Sequence, residues 1–153
     1  MPRPFTHASL RQLMLALILV GTVGLEVELA LLRHTESIQQ WIPHMALVVG
    51  LISSIAVYVR PGPATLRPFQ VMMLTFLVIG VLGVYLHVQG NMEFALERDP
   101  SLTGASLIWK ALRGATPALA PGALAQLGLL GLLYSYKHPA LAKHNAPALD
   151  RVE

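Results

Sequence analysis

Residues 69–88, FQVMMLTFLVIGVLGVYLHV, decide the class of fold. They are twenty consecutive residues without a charge, and at about 1.5 Å per helical residue the run matches the roughly 30 Å hydrocarbon core of a bilayer. Three more apolar runs, at about 10–32, 42–59 and 117–136, are also long enough, or nearly so, to cross, although the first carries Arg11, Glu26 and Glu28. The chain of 153 residues is 54% hydrophobic and only 12% charged, with a mean hydropathy of +0.58. Such values belong to an integral membrane protein. The expected fold is all-α: a four-helix transmembrane bundle forming one domain over 1–137, followed by a polar tail at 138–153.

Charge placement gives the expected orientation. Arg3, Arg11, Arg60, Arg67, Lys137, Lys143 and Arg151 fall on one side of these runs, and Arg33, Arg98, Lys110 and Arg113 on the other. Seven against four places both termini in the cytoplasm of a multi-pass protein in a cell membrane. The first run passes Glu26 without a small-residue cleavage site, so it reads as a retained helix and not as a signal peptide. The net charge of +3 implies no nucleic-acid partner, because the cations sit at the ends of apolar runs and form no basic stripe. No cysteine is present, which removes disulfides, thiolate metal sites and a cysteine nucleophile.

The connections divide into plain and informative ones. Pro61, Gly62, Pro63 and Pro68 mark a sharp turn between the second and third helices. The stretch SLTGASLIWKALRG at 101–114 places Ala105, Ile108, Trp109 and Leu112 at helical spacing. It predicts a short amphipathic interface helix over about 102–113, with Trp109 at headgroup level and Gly114 as its stop, or else a lid over a site beneath. His138 and His144 read as solvated residues of the tail.

Glycine spacing suggests how the helices meet. Gly21, Gly24 and Glu28 align with Gly80, Gly83 and His87, and Pro43 and Gly50 with Pro121 and Gly128, the pattern of a duplicated hairpin. Small residues one turn apart let helix backbones approach in lipid, so the Gly21/Gly24 and Gly80/Gly83 faces are candidate surfaces for partner helices. If the two grooves face each other, Glu28 meets His87. Glu26, on a different face from Glu28, is expected to reach Arg33. Ser53 and Ser54 are expected to bond their own helix carbonyls, and Gln126 to bond across the bundle.

Function rests on one asymmetry. Three of the six histidines, His34, His44 and His87, converge on the non-cytoplasmic side, with Glu36, Gln39, Gln40, Gln89, Asn91 and Glu93 near them. Imidazole with carboxylate is the ligand set of zinc, copper or non-haem iron when cysteine is absent, which makes Glu28, His34, His44, His87, Asn91 and Glu93 the candidate metal set. Two of His34, His44 and His87 on facing helices would also suit the axial positions of a haem. The same residues suit a hydrogen-bonded cap on the helix ends, a site for a polar, lipid or quinone headgroup, or proton transfer at a buried Glu28. No H-E-x-x-H, C-x-x-C-H, G-x-S-x-G, Walker A or G-x-G-x-x-G motif occurs, which points away from an enzyme. A reading from a different class is a non-catalytic accessory or scaffold subunit of a larger membrane complex. A proton-coupled carrier would need more buried polar surface than these helices offer.

Overall fold

The computed structural model describes residues 7–142. Arg3, and the tail residues Lys143, His144 and Arg151, lie outside the described residues. Within them the chain is helical, with α1 at His7–Leu31, α2 at Ile38–Val59, α3 at Pro63–Arg98, α4 at Gly104–Leu112, α5 at Gly122–Ser135 and α6 at Pro139–Ala142. Three of these, α1, α2 and α3, are long and apolar enough to cross a membrane, and their exposed apolar side chains suit a lipid bilayer. The fourth expected span is shorter than its apolar run. Pro121 sits at the N-cap of α5, and 117–121 is a succession of turns, leaving 14 helical residues, or about 21 Å.

In contrast, α3 overruns its expected bounds at both ends. Its 36 residues extend for about 54 Å. The proline-rich segment is not all turn: Gly62 is the N-cap, Pro63 occupies the first turn where its missing N–H costs nothing, and Pro68 lies inside the helix. The Gly62 N–H donates to Thr65 Oγ1 at 3.2 Å, closing that first turn. Beyond Val88 the polar stretch QGNMEFALER contains good helix formers and no proline until Pro100, so the helix continues to Arg98. α4 then doubles back along α3, bringing Ala111 level with Asn91.

Packing sets which faces are hidden. α3 lies against α2, α5, α4 and α6, and α1 lies against α2 and α5, so α1 and α3 are diagonal and do not pack together. The core between them holds Ile18 of α1, Leu47 of α2, Phe69, Met73 and Phe76 of α3, and Leu124 and Tyr134 of α5. The closest approach is between α3 and α5. A Cβ on Gly80 would strike the Ala125 backbone, and one on Gly128 would strike the Met73 carbonyl and the Leu77 nitrogen.

This corrects the reading of the glycine stripes. Gly80 and Gly83 face Ala125 of α5 and its N-cap Pro121, and Gly21 faces Leu127 of α5, whereas Gly24 meets nothing among the described residues. The grooves therefore do not face each other, and the Gly80/Gly83 surface is filled from within the chain, leaving no room for an outside partner. Ser53 and Ser54 both donate to the Gly50 carbonyl, at 2.9 and 2.7 Å, as the sequence suggests. Gln126 differs: it is exposed on α5 and makes no hydrogen bond across the helices among the described residues.

At the end opposite the three histidines, Arg11 has a use that its charge alone does not announce. Its guanidinium donates to the carbonyls of Tyr134, in the last turn of α5, and of Tyr136 (3.0 Å) and Lys137 (3.3 Å), just after it, supplying donors that this helix end lacks. His138 lies half-buried beside the Tyr134 ring, 5.4 Å between centroids, and is not a freely solvated residue.

Candidate functional site

The histidine end is built from two sets of side-chain bonds, one at each connection. The α1 to α2 turn begins with a Schellman closure, in which the His34 N–H donates to Leu29 O (3.0 Å) and the Arg33 N–H to Ala30 O (3.1 Å). Arg33 takes the left-handed conformation that this closure requires, φ 51°. The turn leaves the His34 carbonyl facing α2. His44 Nε2 donates to that carbonyl at 3.1 Å, and His44 Nδ1 lies 2.9 Å from Glu26 Oε1.

Because a carbonyl only accepts, Nε2 of His44 carries a proton. The bridging proton on the other side then belongs either to an imidazolium donating to a carboxylate, or to a carboxylic acid donating to a neutral ring. The pair is neutral overall in both forms. His44 is 6% exposed, with the Trp41 ring 5.5 Å away. Glu26 Oε2 is buried and has no partner among the described residues.

The second set closes the entry to α5. Asn91, 3% exposed, donates through Nδ2 to Ala111 O (2.9 Å) and Thr116 O (2.8 Å). Its Oδ1 accepts from the Thr116 N–H (3.2 Å) and hydroxyl (2.7 Å). Gly114 is the residue that makes room, since a Cβ there would enter the Asn91 amide. One turn earlier on α3, His87 Nδ1 donates to Pro117 O at 3.1 Å. In the neutral ring that bond selects the Nδ1–H tautomer, whose lone pair is on Nε2.

The six residues of the candidate metal set are thus dispersed in role. His44 has both ring nitrogens bonded, and Asn91 has all four of its amide positions bonded. Glu93 accepts from Gln89 at 3.0 Å, with both side chains exposed. Glu28 is exposed, and it forms no ion pair or side-chain hydrogen bond among the described residues. Among those residues no three of His, Cys, Asp and Glu come together in a way that could hold a metal ion. What remains is a pair of imidazoles, His34 and His87, with ring centroids 6.5 Å apart and planes tilted by 50°. Burial, followed by the nearby His87 and His44 rings, holds the His34 pKa below the ordinary 6.5.

Two participants escape a reading of the sequence. Glu26 bonds His44 and not Arg33, a pairing across two helices for which residue spacing gives no signal. The acceptors at His34, Ala111, Thr116 and Pro117 are backbone carbonyls, which every residue carries. No family model matches the chain, and no curated protein or solved structure matches it either.

Proposed function

We propose that this is a non-catalytic accessory or scaffold subunit of a larger membrane complex. In this reading α1, α2, α3 and α5 form a four-helix transmembrane bundle, with both termini in the cytoplasm and the histidine end on the other side. The observation that carries it is that His44, His87 and Asn91 are spent on the chain's own connections. The turns at 117–121 lie beside residues 83–87 of α3, inside the apolar run, where lipid offers backbone groups no water. Side chains must satisfy them there. His87 does so at Pro117, and Asn91, one turn further along α3, does the same for Ala111 and Thr116 just before these turns, which gives the conspicuous polar cluster a structural task.

Aromatic residues are consistent with such a placement. Trp41, Tyr85 and Trp109 are exposed towards the histidine end, and Tyr58 and Tyr136 at the opposite end, where amphipathic rings favour headgroups. The apolar stripe of α4, Ile108, Trp109 and Leu112, is exposed, while Ala111 meets α3 and Lys110 and Arg113 flank the stripe. This supports α4 as an interface helix, its stripe in the headgroup layer and the Arg113 guanidinium 5.8 Å from the Trp109 ring centre.

The test is purification at native abundance in mild detergent, with metal analysis and an optical spectrum on the same sample. A metal-free, colourless protein held in a stoichiometric complex is the expected result. Complex formation should survive His34→Ala, which removes no hydrogen bond of either connection. A lone chain with near-stoichiometric metal or a Soret band, lost in His34→Ala while the helical circular dichroism is kept, would overturn the proposal.

The second reading, a transition-metal site at His34 and His87, is favoured by two features. The Pro117 carbonyl presents the His87 Nε2 lone pair, the arrangement that orients metal-binding imidazoles. The 6.5 Å ring separation is near the span of about 6 Å for two imidazoles on opposite sides of one ion at metal–nitrogen bonds of about 2 Å. The metal analysis above decides between the two.

A further inference from the structure

We propose that the protein associates with a second copy of itself through the face of α5 that carries Gln126. The proposal rests on the scaffold reading and names a partner for it. Gln126, Leu129 and Leu133 follow one another at i, i+3 and i+7, on one stripe of the helix, and all three are exposed. The opposite stripe, with Leu124, Gly128 and Gly131, is buried and packs against α3. The exposed stripe therefore points away from the rest of the chain.

Depth makes the amide informative. The backbone of Ala125 lies against Gly80, and the apolar run of α3 at 69–88 has its middle at 78–79. Gln126 is thus close to the midplane of a bilayer matched to α3. An amide facing hydrocarbon there has no water and no partner, a costly arrangement that a neighbouring helix relieves. The length of α5 gives an independent reason for association. At about 21 Å it falls short of a hydrocarbon layer of roughly 30 Å, and oligomerisation is one way a short span is accommodated.

The chemistry of the stripe favours a copy of itself as occupant. An amide donates through Nε2 and accepts through Oε1, so across a two-fold axis two Gln126 side chains exchange a pair of bonds and leave neither group unmatched. The flanking Leu129 and Leu133 then pack against their equivalents, without a charge on the stripe.

The absence of cysteine makes the test clean. Full-length Leu129→Cys protein is reconstituted in vesicles at low protein-to-lipid ratio and oxidised with copper–phenanthroline, beside Val20→Cys on the exposed face of α1. The expected result is a disulfide dimer for Leu129→Cys at several-fold the yield of Val20→Cys. Adding Gln126→Leu should reduce it at least threefold, with the helical circular dichroism unchanged, and Gln126→Asn should restore part of it. Equal cross-linking at both positions, or a dimer indifferent to Gln126→Leu, would overturn the proposal. If the native complex then persists with a different protein, the scaffold reading stands without self-association; a lone monomer in both experiments removes both.

Discussion

The two connections at the histidine end are closed by different chemistry. The α1 to α2 turn is held by an ionisable pair, Glu26 with His44, and the entry to α5 by a neutral amide, Asn91. The neutral closure is complete, with four hydrogen bonds on four available positions. The ionisable one is not, because Glu26 Oε2 is left without a partner among the described residues. Their difference follows from where each helix starts. α2 begins directly after its turn, so one ring in its second turn reaches the stray carbonyl. α5 begins late, so α3 must supply a group able to serve several backbone atoms at once.

The neutral closure should be the costlier to break. Asn91→Leu strands the Ala111 and Thr116 carbonyls and the Thr116 N–H, and at roughly 1–3 kcal/mol per buried orphan group the total loss should be about 3 kcal/mol. Thermal unfolding in detergent, followed by circular dichroism, should show this loss equally at pH 5.5 and 7.5. A loss confined to one pH would mean that the amide is coupled to the ionisable pair, and the contrast between the closures would fail.

The ionisable closure should give a smaller loss that is shared between partners. His44→Ala is expected to cost about 2 kcal/mol, since it orphans the His34 carbonyl and leaves Glu26 facing an emptied site. Glu26→Gln should cost less, because an amide still bonds Nδ1. In the double variant the two losses should fall short of their sum by about 1 kcal/mol. Strict additivity would show that the 2.9 Å contact contributes nothing.

Acidity supplies the next contrast. His34 sits between the two closures with its pKa below 6.5, through burial first and the neighbouring histidines second. The unfolded chain therefore binds more protons than the folded one between that lower value and 6.5. Stability is full above 6.5 and falls as the pH drops through 6.5, levelling off below the folded value. His34→Gln should flatten the fall, and an unchanged slope from pH 7.5 to 5.5 would assign it to another group.

These differences also explain what the sequence makes legible. The long helices can be read because an apolar run looks the same whether a residue faces lipid or core, and 42–59 and 69–88 each lie on one observed helix, as does 10–32 but for its last residue. The overrun of α3 hides in QGNMEFALER, which is polar enough to look like a loop although no residue in it stops a helix. The shortness of α5 depends on Pro121, which looks harmless inside an apolar run. The histidines can be located as an end of the molecule but not assigned to a task. Their partners are a glutamate on another helix and carbonyls without a sequence signature.

The smallest expected effect concerns the turn that aims the His34 carbonyl. Arg33 holds φ 51°, a conformation that glycine adopts freely and that costs other residues roughly 1 kcal/mol. Its N–H bond to Ala30 and that of His34 to Leu29 are main-chain interactions, and Arg33 is exposed. Arg33→Gly should therefore preserve the closure and raise stability by about 0.5–1 kcal/mol. The gain should remain in a His44→Ala background, since the strain belongs to the backbone of the turn and not to the ring that bonds it. A gain that vanishes with His44 would mean instead that His44 holds the turn in its strained form, and the ionisable closure would then be the one that shapes the connection.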